Sequence, residues 1–220
     1  SNRCANRCRT WSDGALSTAG KLFVIAAPSG AGKTSLVHEL RRRDPNLRMC
    51  GSHTTRPRRP NEVDGRDYHF VDVPQFETMI AADGFLEHAR VFDHYYGTSR
   101  AALADAYARG HDVILEIDWQ GARQVRDREP SCTSLFVLPP SRAELERRLR
   151  SRRTDSDAVI ERRLRDAVAD MSHYREFDHV IVNDDFERAV HDAREVLAGR
   201  GAHLGPDRPE LRGLIAELLA

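Results

Sequence analysis

A three-layer α/β fold with a parallel core sheet is predicted by three features of the sequence. Apolar runs of strand length recur at residues 21–27, 111–118, 134–138 and 177–183, and segments with helical spacing alternate with them. Alternation of this kind builds a parallel sheet covered by helices. The runs are nearly continuous, the pattern of strands buried on both faces. Between the first run and the first helix stands Ala27-Pro28-Ser29-Gly30-Ala31-Gly32-Lys33-Thr34, a small-residue loop ending in Lys-Thr.

Strand, small-residue loop, Lys-Thr and helix is the layout of a phosphate-binding P-loop. Small residues let the backbone form a nest whose N–H groups converge on oxyanions, and the helix N-terminus adds partial positive charge there. Lys33 is placed to reach terminal phosphates, and the Thr34 hydroxyl to bind Mg2+. Ala27 stands where the usual pattern has its first glycine; alanine fits there if its φ is negative. The alternative is a glycine-rich turn that binds nothing, and the flanking strand and helix weigh against it.

The elements follow in order. The first strand spans 21–27 and the first helix 33–43, stopped by Asp44-Pro45-Asn46. Residues 51–60, with Pro57, Pro60 and clustered hydroxyls, read as a loop. A turn at 61–67 precedes a short strand at 68–71 and a helix at 73–82 with Pro74 in its first turn. Residues 85–92 are strand-like, and 94–99 read as a turn into a helix over 99–109, closed by Gly110. The second core strand, 111–118, carries Glu116 and Asp118 at its C-terminal end, where open parallel sheets bind ligands. A helix over 119–128 leads to the third core strand, 134–138. Ser141 and Glu144 form a capping-box pattern for a helix that ends in the basic stretch 147–153. The next helix runs from about 155 to 174, the fourth core strand over 177–183, and further helices over 186–198 and 209–219. The terminal helix is amphipathic and needs a neighbour, in this chain or on a partner, for Leu211, Leu214, Ile215 and Leu218.

Composition narrows the function. The formal net charge is zero, which disfavours nucleic acid as a partner. Arginine dominates the basic residues; the only lysines are Lys21 and Lys33, which makes the loop lysine conspicuous. The cysteines, Cys4, Cys8, Cys50 and Cys132, show no C-x-x-C pairing, so neither a disulfide framework nor a zinc site is expected, and a reducing, cytoplasmic setting fits. No apolar stretch is long enough for a membrane span. Residues 1–20 are polar and are expected to be a disordered leader, not a secretory signal.

Residues 51–98 interrupt the strand–helix alternation and read as an inserted, strand-rich subdomain. Arg56, Arg58 and Arg59 crowd one Pro-stiffened loop a few residues before Tyr68. Guanidinium forks suit phosphate oxygens, and a phenol adds a donor, so this is either a second phosphate site or a solvated basic loop. Glu87 lies within an apolar strand pattern. A carboxylate only accepts, matching the N1–H and N2–H2 donors of guanine, and a hydroxyl from Ser52 or Thr98 can donate to guanine O6. From spacing alone Glu87 could equally be an edge-strand surface acid. The basic stretch 147–153 is either a mobile lid or an exposed helix end paired with Asp155 and Asp157.

Six stretches in order resemble guanylate kinases, above all the bacterial form: Ala27 to Lys33 of the loop; Ser52-His53-Thr54-Thr55-Arg56-Pro57-Arg58; Gly65-Arg66-Asp67-Tyr68-His69-Phe70; Tyr95-Tyr96-Gly97-Thr98; Ile117-Asp118-Trp119-Gln120-Gly121-Ala122; and Val182-Asn183-Asp184-Asp185. The resemblance covers about residues 21–198. It implies a P-loop NTPase three-layer fold with an inserted GMP-binding subdomain and a helical lid. Residues 21–50 and 99–198 would form the core, with the lid at about 148–163, residues 51–98 the GMP-binding part, and 199–220 a C-terminal extension. It implies transfer of the ATP γ-phosphoryl group to GMP or dGMP, with Mg2+ accompanying ATP, in purine metabolism in the cytoplasm. Neither nucleic acid nor membrane is an implied partner, and the expected state is a monomer or small homo-oligomer.

By the same resemblance, residues 27–34 and Asn183 bind ATP, with Asn183 beside the adenine. Ser52, Glu87 and Thr98 contact guanine, and Arg56, Arg59, Tyr68 and Tyr96 hold the GMP phosphate. Asp118 lies near guanine and reaches the metal through water, while Thr34 binds it directly. Lys33, Arg56, Arg148, Arg152 and Arg163 serve the transfer itself, the last three by closing over the moving group. Glu116 stands where the family often has Asp. A phosphate monoester is mostly dianionic at neutral pH, since its second pKa is about 6, so no general base is required. The obstacle is repulsion between two charged phosphates, which accounts for a site of cations, hydroxyls and backbone N–H groups.

Overall fold

The computed structural model describes residues 20–66, 68–91, 93–151 and 156–220. Along the chain these form β1 (Leu22–Ala26), α1 (Lys33–Arg43), β2 (Leu47–Met49), β3 (Ser52–Thr54), β4 (His69–Phe70), α2 (Val73–Ala81), β5 (Phe85–Val91) and β6 (His94–Ser99). There follow α3 (Arg100–Ala108), β7 (Asp112–Glu116), α4 (Trp119–Arg128), β8 (Thr133–Leu138), α5 (Arg142–Ser151), α6 (Asp157–Met171), β9 (His179–Val182), α7 (Phe186–Leu197) and α8 (Leu211–Leu219).

Five strands pair in parallel in the order β2-β7-β1-β8-β9, the sheet that the apolar runs predict. The alternation along β1 divides the core. Leu22, Val24 and Ala26 enter one cluster, and Phe23 and Ile25 enter the other. On the second side lie Leu36, Val37 and Leu40 of α1 with Ala189, Val190, Ala193 and Val196 of α7. On the first lie Leu103, Val125, Leu145, Leu149, Ile160 and Met171, drawn from α3 to α6. Fully burying one leucine side chain contributes on the order of 2 kcal/mol, so the three layers are held chiefly by this apolar packing. The terminal helix α8 adds Leu211 and Leu218 to the first cluster, with Leu214 and Ile215 packed against it. Its apolar face is therefore covered within the chain.

A second sheet, ordered β4-β3-β6-β5, lies in residues 52–99. Here the structure corrects two expectations. Residues 51–60 read as a loop, yet Ser52–Thr54 form β3; the prolines lie just beyond it. Thr54 is fully buried and donates its hydroxyl to the Tyr95 carbonyl at 2.9 Å. Residues 94–99 read as a turn, yet they form β6, paired antiparallel with both β3 and β5. Polar, glycine-containing strands of this kind carry no apolar alternation and are held by their partners. The Phe76 ring of α2 stacks on Tyr95 (5.2 Å) and on Phe85 (4.4 Å), closing the back of this sheet.

Helix starts are set locally. Asp72, Ser99, Asp118 and Asp185 each accept a backbone N–H at the start of α2, α3, α4 and α7. The Ser141 hydroxyl accepts the Glu144 amide at 3.1 Å, while the Glu144 carboxylate turns to Arg147 and Arg148 at 2.7 Å. The helix expected to reach residue 174 ends at Met171, and a 3-10 turn follows at Tyr174–Glu176. The expected disordered leader, except residue 20, and Arg152 of the expected lid lie outside the described residues, as do Cys4 and Cys8. Cys50 and Cys132 are free and buried.

Candidate active site

The loop after β1 turns into α1 through Gly30 (φ 92°) and Gly32 (φ 96°), conformations that favour glycine. Among the described residues only Asp83 and Asp93 are non-glycines at positive φ, so Ala27 meets its backbone requirement. α1 has no side-chain cap and no acid in its first turn. Its N-terminal N–H groups line a cavity of about 280 Å3 formed by residues 27–30 and 32–35.

Four side chains fix the loop. Lys33 donates to the Ile117 carbonyl at 2.8 Å, and Thr34 donates to Glu116 at 2.5 Å. Asn183 donates to the Ala31 carbonyl at 2.7 Å. Arg148 reaches the same carbonyl at 3.3 Å and the Asn183 carbonyl at 2.9 Å, with Glu144 on its Nε. Burial lowers the Lys33 pKa, and Glu116, Asp118 and Asp170 oppose that shift. Asp170 is pushed up to about 6 by burial and by Asp118, against a hydrogen bond from Trp119 and the charge of Lys33.

A second cavity, of about 240 Å3, is lined from one side by Ser52, Tyr68, Glu87 and Tyr96 and from the other by Lys33, Glu116 and Asp118. Glu87 is only 4% exposed and accepts the hydroxyl of fully buried Thr98 at 2.7 Å. Burial pushes the Glu87 carboxyl up to about 7; Asp118 adds to the shift, and Thr98 and Arg128 oppose it. Gly121 makes room for this acid, because a Cβ there would stand 2.8 Å from Glu87 Oε2. The surface-acid alternative for Glu87 is thereby excluded.

The other residues singled out in the sequence are more dispersed. Arg56 lies beside the cavity with its guanidinium 5.5 Å from the centre of the Tyr68 ring. It is held by Glu62 and by the Pro57 carbonyl, both at 2.7 Å. Glu62 also accepts the Arg59 amide at 2.8 Å, while Arg59 itself is exposed. Arg163 lies on α6 and is half-buried. Arg150 pairs with Asp157 at 2.6 Å across the α5–α6 junction. Glu62, Gly121 and Asp170 were not legible as site residues. Gly121 and Asp170 act on Glu87 and Lys33 from distant parts of the chain, and Glu62 on Arg56 within its own loop.

Fold, loop and twin cavities define a P-loop nucleotide-binding α/β protein with a second, acid-floored pocket facing its loop lysine. The guanylate kinase family profile matches residues 19–200. A guanylate kinase of Methylococcus capsulatus is 55% identical over 202 residues, covering 92% of this chain and 99% of the relative. One from Salmonella typhimurium is 48% identical over 203 residues, covering 91% and 98%. The crystal structure of guanylate kinase from Anaplasma phagocytophilum superposes with a TM-score of 0.67 at 32% identity, covering 90% of this chain and 94% of that one. The chain belongs to the guanylate kinase family and is an enzyme.

Proposed function

We propose that this chain transfers the γ-phosphoryl group of ATP to GMP or dGMP, giving ADP and GDP, in the cytoplasm as part of purine nucleotide metabolism. One observation carries the reading: a single cavity joins the buried pair Glu87–Thr98 to the loop residue Lys33. In this reading Glu87 accepts from guanine N1–H and N2–H2, with Ser52 and Thr98 as hydroxyl partners and Asp118 alongside. Tyr68, Tyr96, Arg56 and Arg59 hold the acceptor phosphate. Arg56 would exchange partners to do so, since Glu62 now engages its guanidinium, whereas Arg59 meets Glu62 through its backbone N–H and is exposed.

On the donor side, the loop amides and Lys33 take the ATP phosphates, and Asn183 supports them through the Ala31 carbonyl it holds. Arg148, Arg152 and Arg163 offset charge on the moving group. Catalysis is then positioning plus electrostatic stabilisation, with no proton abstraction to perform.

The oxygen donors around Thr34 fit Mg2+. Its hydroxyl meets Glu116, and Asp118 lies two residues on. Among the described residues no cluster of three or more His, Cys, Asp or Glu is arranged to hold a metal ion. An Mg2+ ion that arrives with ATP needs only one or two protein oxygens besides phosphate and water. When bound it would neutralise phosphate charge. Among the described residues no helix is long and apolar enough to cross a membrane.

The reading is tested by ADP release from ATP with GMP, AMP, CMP and UMP offered in parallel. A strong preference for GMP is expected; turnover without that preference, or none at all, contradicts it. A pH series adds an independent check. Guanine donors favour the ionised carboxylate, so bound GMP lowers the Glu87 pKa, and affinity rises with pH until the free group is ionised, at about 7. The KM for GMP is expected to rise by up to ~10-fold for each pH unit below that point. In Glu87→Gln only the titration of the GMP phosphate, near ~6, remains. Identical pH profiles for the two proteins would remove Glu87 from the site.

A further inference from the structure

β5 carries an irregularity in the middle of the proposed base-reading strand. Phe85 pairs with Ser99, but Glu87 pairs with Thr98, so Leu86 is an extra residue in the ladder. The consequence is a change of face. In a regular strand Phe85 and Glu87, two residues apart, would point the same way. Here Phe85 stacks on Phe76 behind the sheet, while Glu87, Ala89 and Val91 line the cavity in front. His88 lies on the Phe85 side, with the two rings 6.0 Å apart. The bulge is what turns the acid into the pocket.

Two side chains of α4 grip the backbone at this point. The Gln124 amide accepts from the His88 N–H at 3.1 Å and donates to the His88 carbonyl at 2.8 Å. Arg128, one turn further along the same face, donates to the Phe85 carbonyl at 3.0 Å and the Leu86 carbonyl at 2.6 Å. The same helix is capped by Asp118, which also lines the cavity, and it presents Gly121 beneath Glu87. Two of the three acids of the pocket, Glu87 and Asp118, are therefore referred to one rigid element.

We propose that Gln124 and Arg128 are positioning residues for base selectivity: they clamp the bulge of β5 so that Glu87 faces the cavity rather than the back of the second sheet. The proposal rests on the reading of Glu87 as the guanine acceptor. Its physical content is a population. A bulge that moves by one residue reverses the face of the side chains it displaces. The apparent affinity of a ligand falls by the fraction of molecules in the competent state. Bound GMP selects that state again, so turnover at saturation is spared.

The test uses the full chain with Gln124→Leu, Arg128→Met, their combination and Arg128→Lys. Steady-state kinetics are measured with GMP, with IMP, which lacks the 2-amino group, and with varied ATP. The double variant is expected to raise the KM for GMP by roughly 10-fold. Its kcat should stay within about twofold, its KM for ATP should not change, and its preference for GMP over IMP should shrink. Arg128→Lys, which keeps a charged donor, is expected to restore most of the loss in Arg128→Met. If the double variant does not fold, the Arg128 pair decides by the same criteria. An unchanged KM for GMP, or equal loss of kcat with both substrates, overturns the clamp. Glu87→Gln is run alongside: if it raises the KM for GMP while the clamp variants do not, only the clamp fails. If Glu87→Gln changes nothing, the guanine reading fails and the clamp with it.

Discussion

Replacing Glu87 by alanine is expected to lower kcat/KM for GMP by roughly 10³-fold, with the KM for ATP little changed. The magnitude follows from what the carboxylate does in the proposed site. It offers an ionised acceptor to two guanine donors, and hydrogen bonds to charged groups are worth about 1.5–3 kcal/mol each. Removing it leaves N1–H and N2–H2 facing a buried wall and leaves the Thr98 hydroxyl, fully buried, without its 2.7 Å partner. Activity with AMP should fall far less, so the preference collapses from the GMP side. The stability consequence has the opposite sign. The folded pKa of about 7 lies above the unfolded value of ~4.3, so ionising Glu87 costs the fold stability as pH rises between the two. Glu87→Gln has no such cost. Its melting temperature relative to the parent is expected to climb over that window, as a thermal unfolding series across pH would record. A less selective enzyme that is more stable at neutral pH is the pattern of a strained binding group.

Lys33→Met is expected to lower kcat by at least ~10³-fold, the scale set by cations that stabilise a transferring phosphoryl group. Lys33 is held by the Ile117 carbonyl at 2.8 Å, among Glu116, Asp118 and Asp170, whose charges oppose the effect of its burial. It lines both cavities, so in the proposed reading one ammonium would serve donor and acceptor alike. Arginine should not replace it, because a planar fork cannot take the place of a compact charge in this enclosure. Lys21→Met is the control: Lys21 is bonded through its backbone, the N–H donating to Asp112 at 2.7 Å and the carbonyl accepting from Val113 at 2.8 Å, and it lines neither cavity. Single-turnover measurements should show the loss of Lys33 in the chemical step, with ATP binding reduced much less.

The sheet and the loop were legible because their signals are local. The continuous apolar run of β1, the small residues before Lys33 and the cap at Ser141 all act within a few residues of where they stand. The second sheet was only partly legible. β3 and β6 are polar, and Gly97 interrupts β6; their strand character comes from pairing and from the Phe76 ring behind them. β2 is three residues long with Arg48 and Met49 exposed, too short to show a period. In the site, residue types pointed to Ser52, Tyr68, Glu87 and Asp118 and the family resemblance added Tyr96; the fold gathers these around one cavity with Lys33. The contacts by which one side chain holds another were not legible, even for Asn183, which the resemblance had marked. Glu62 holds Arg56, Gln124 and Arg128 hold β5, and Asn183 holds the loop. Apart from the Glu62–Arg56 pair within one loop, each contact joins segments whose approach only the folded chain determines. The direction of Glu87 depends on one extra residue in a ladder, and an apolar pattern does not encode it.

In the proposed reaction a phosphoryl group passes from the loop cavity to the cavity that holds Glu87, with Lys33 lining both. The most direct measurement follows the group itself. The protein is incubated with ATP labelled at the γ-phosphorus and an equal amount of GMP, and all products are separated. Label is expected in the β-phosphate of GDP, one for each ADP formed, with negligible labelled inorganic phosphate. Label released mainly as inorganic phosphate, or transferred equally to AMP offered in place of GMP, would contradict it.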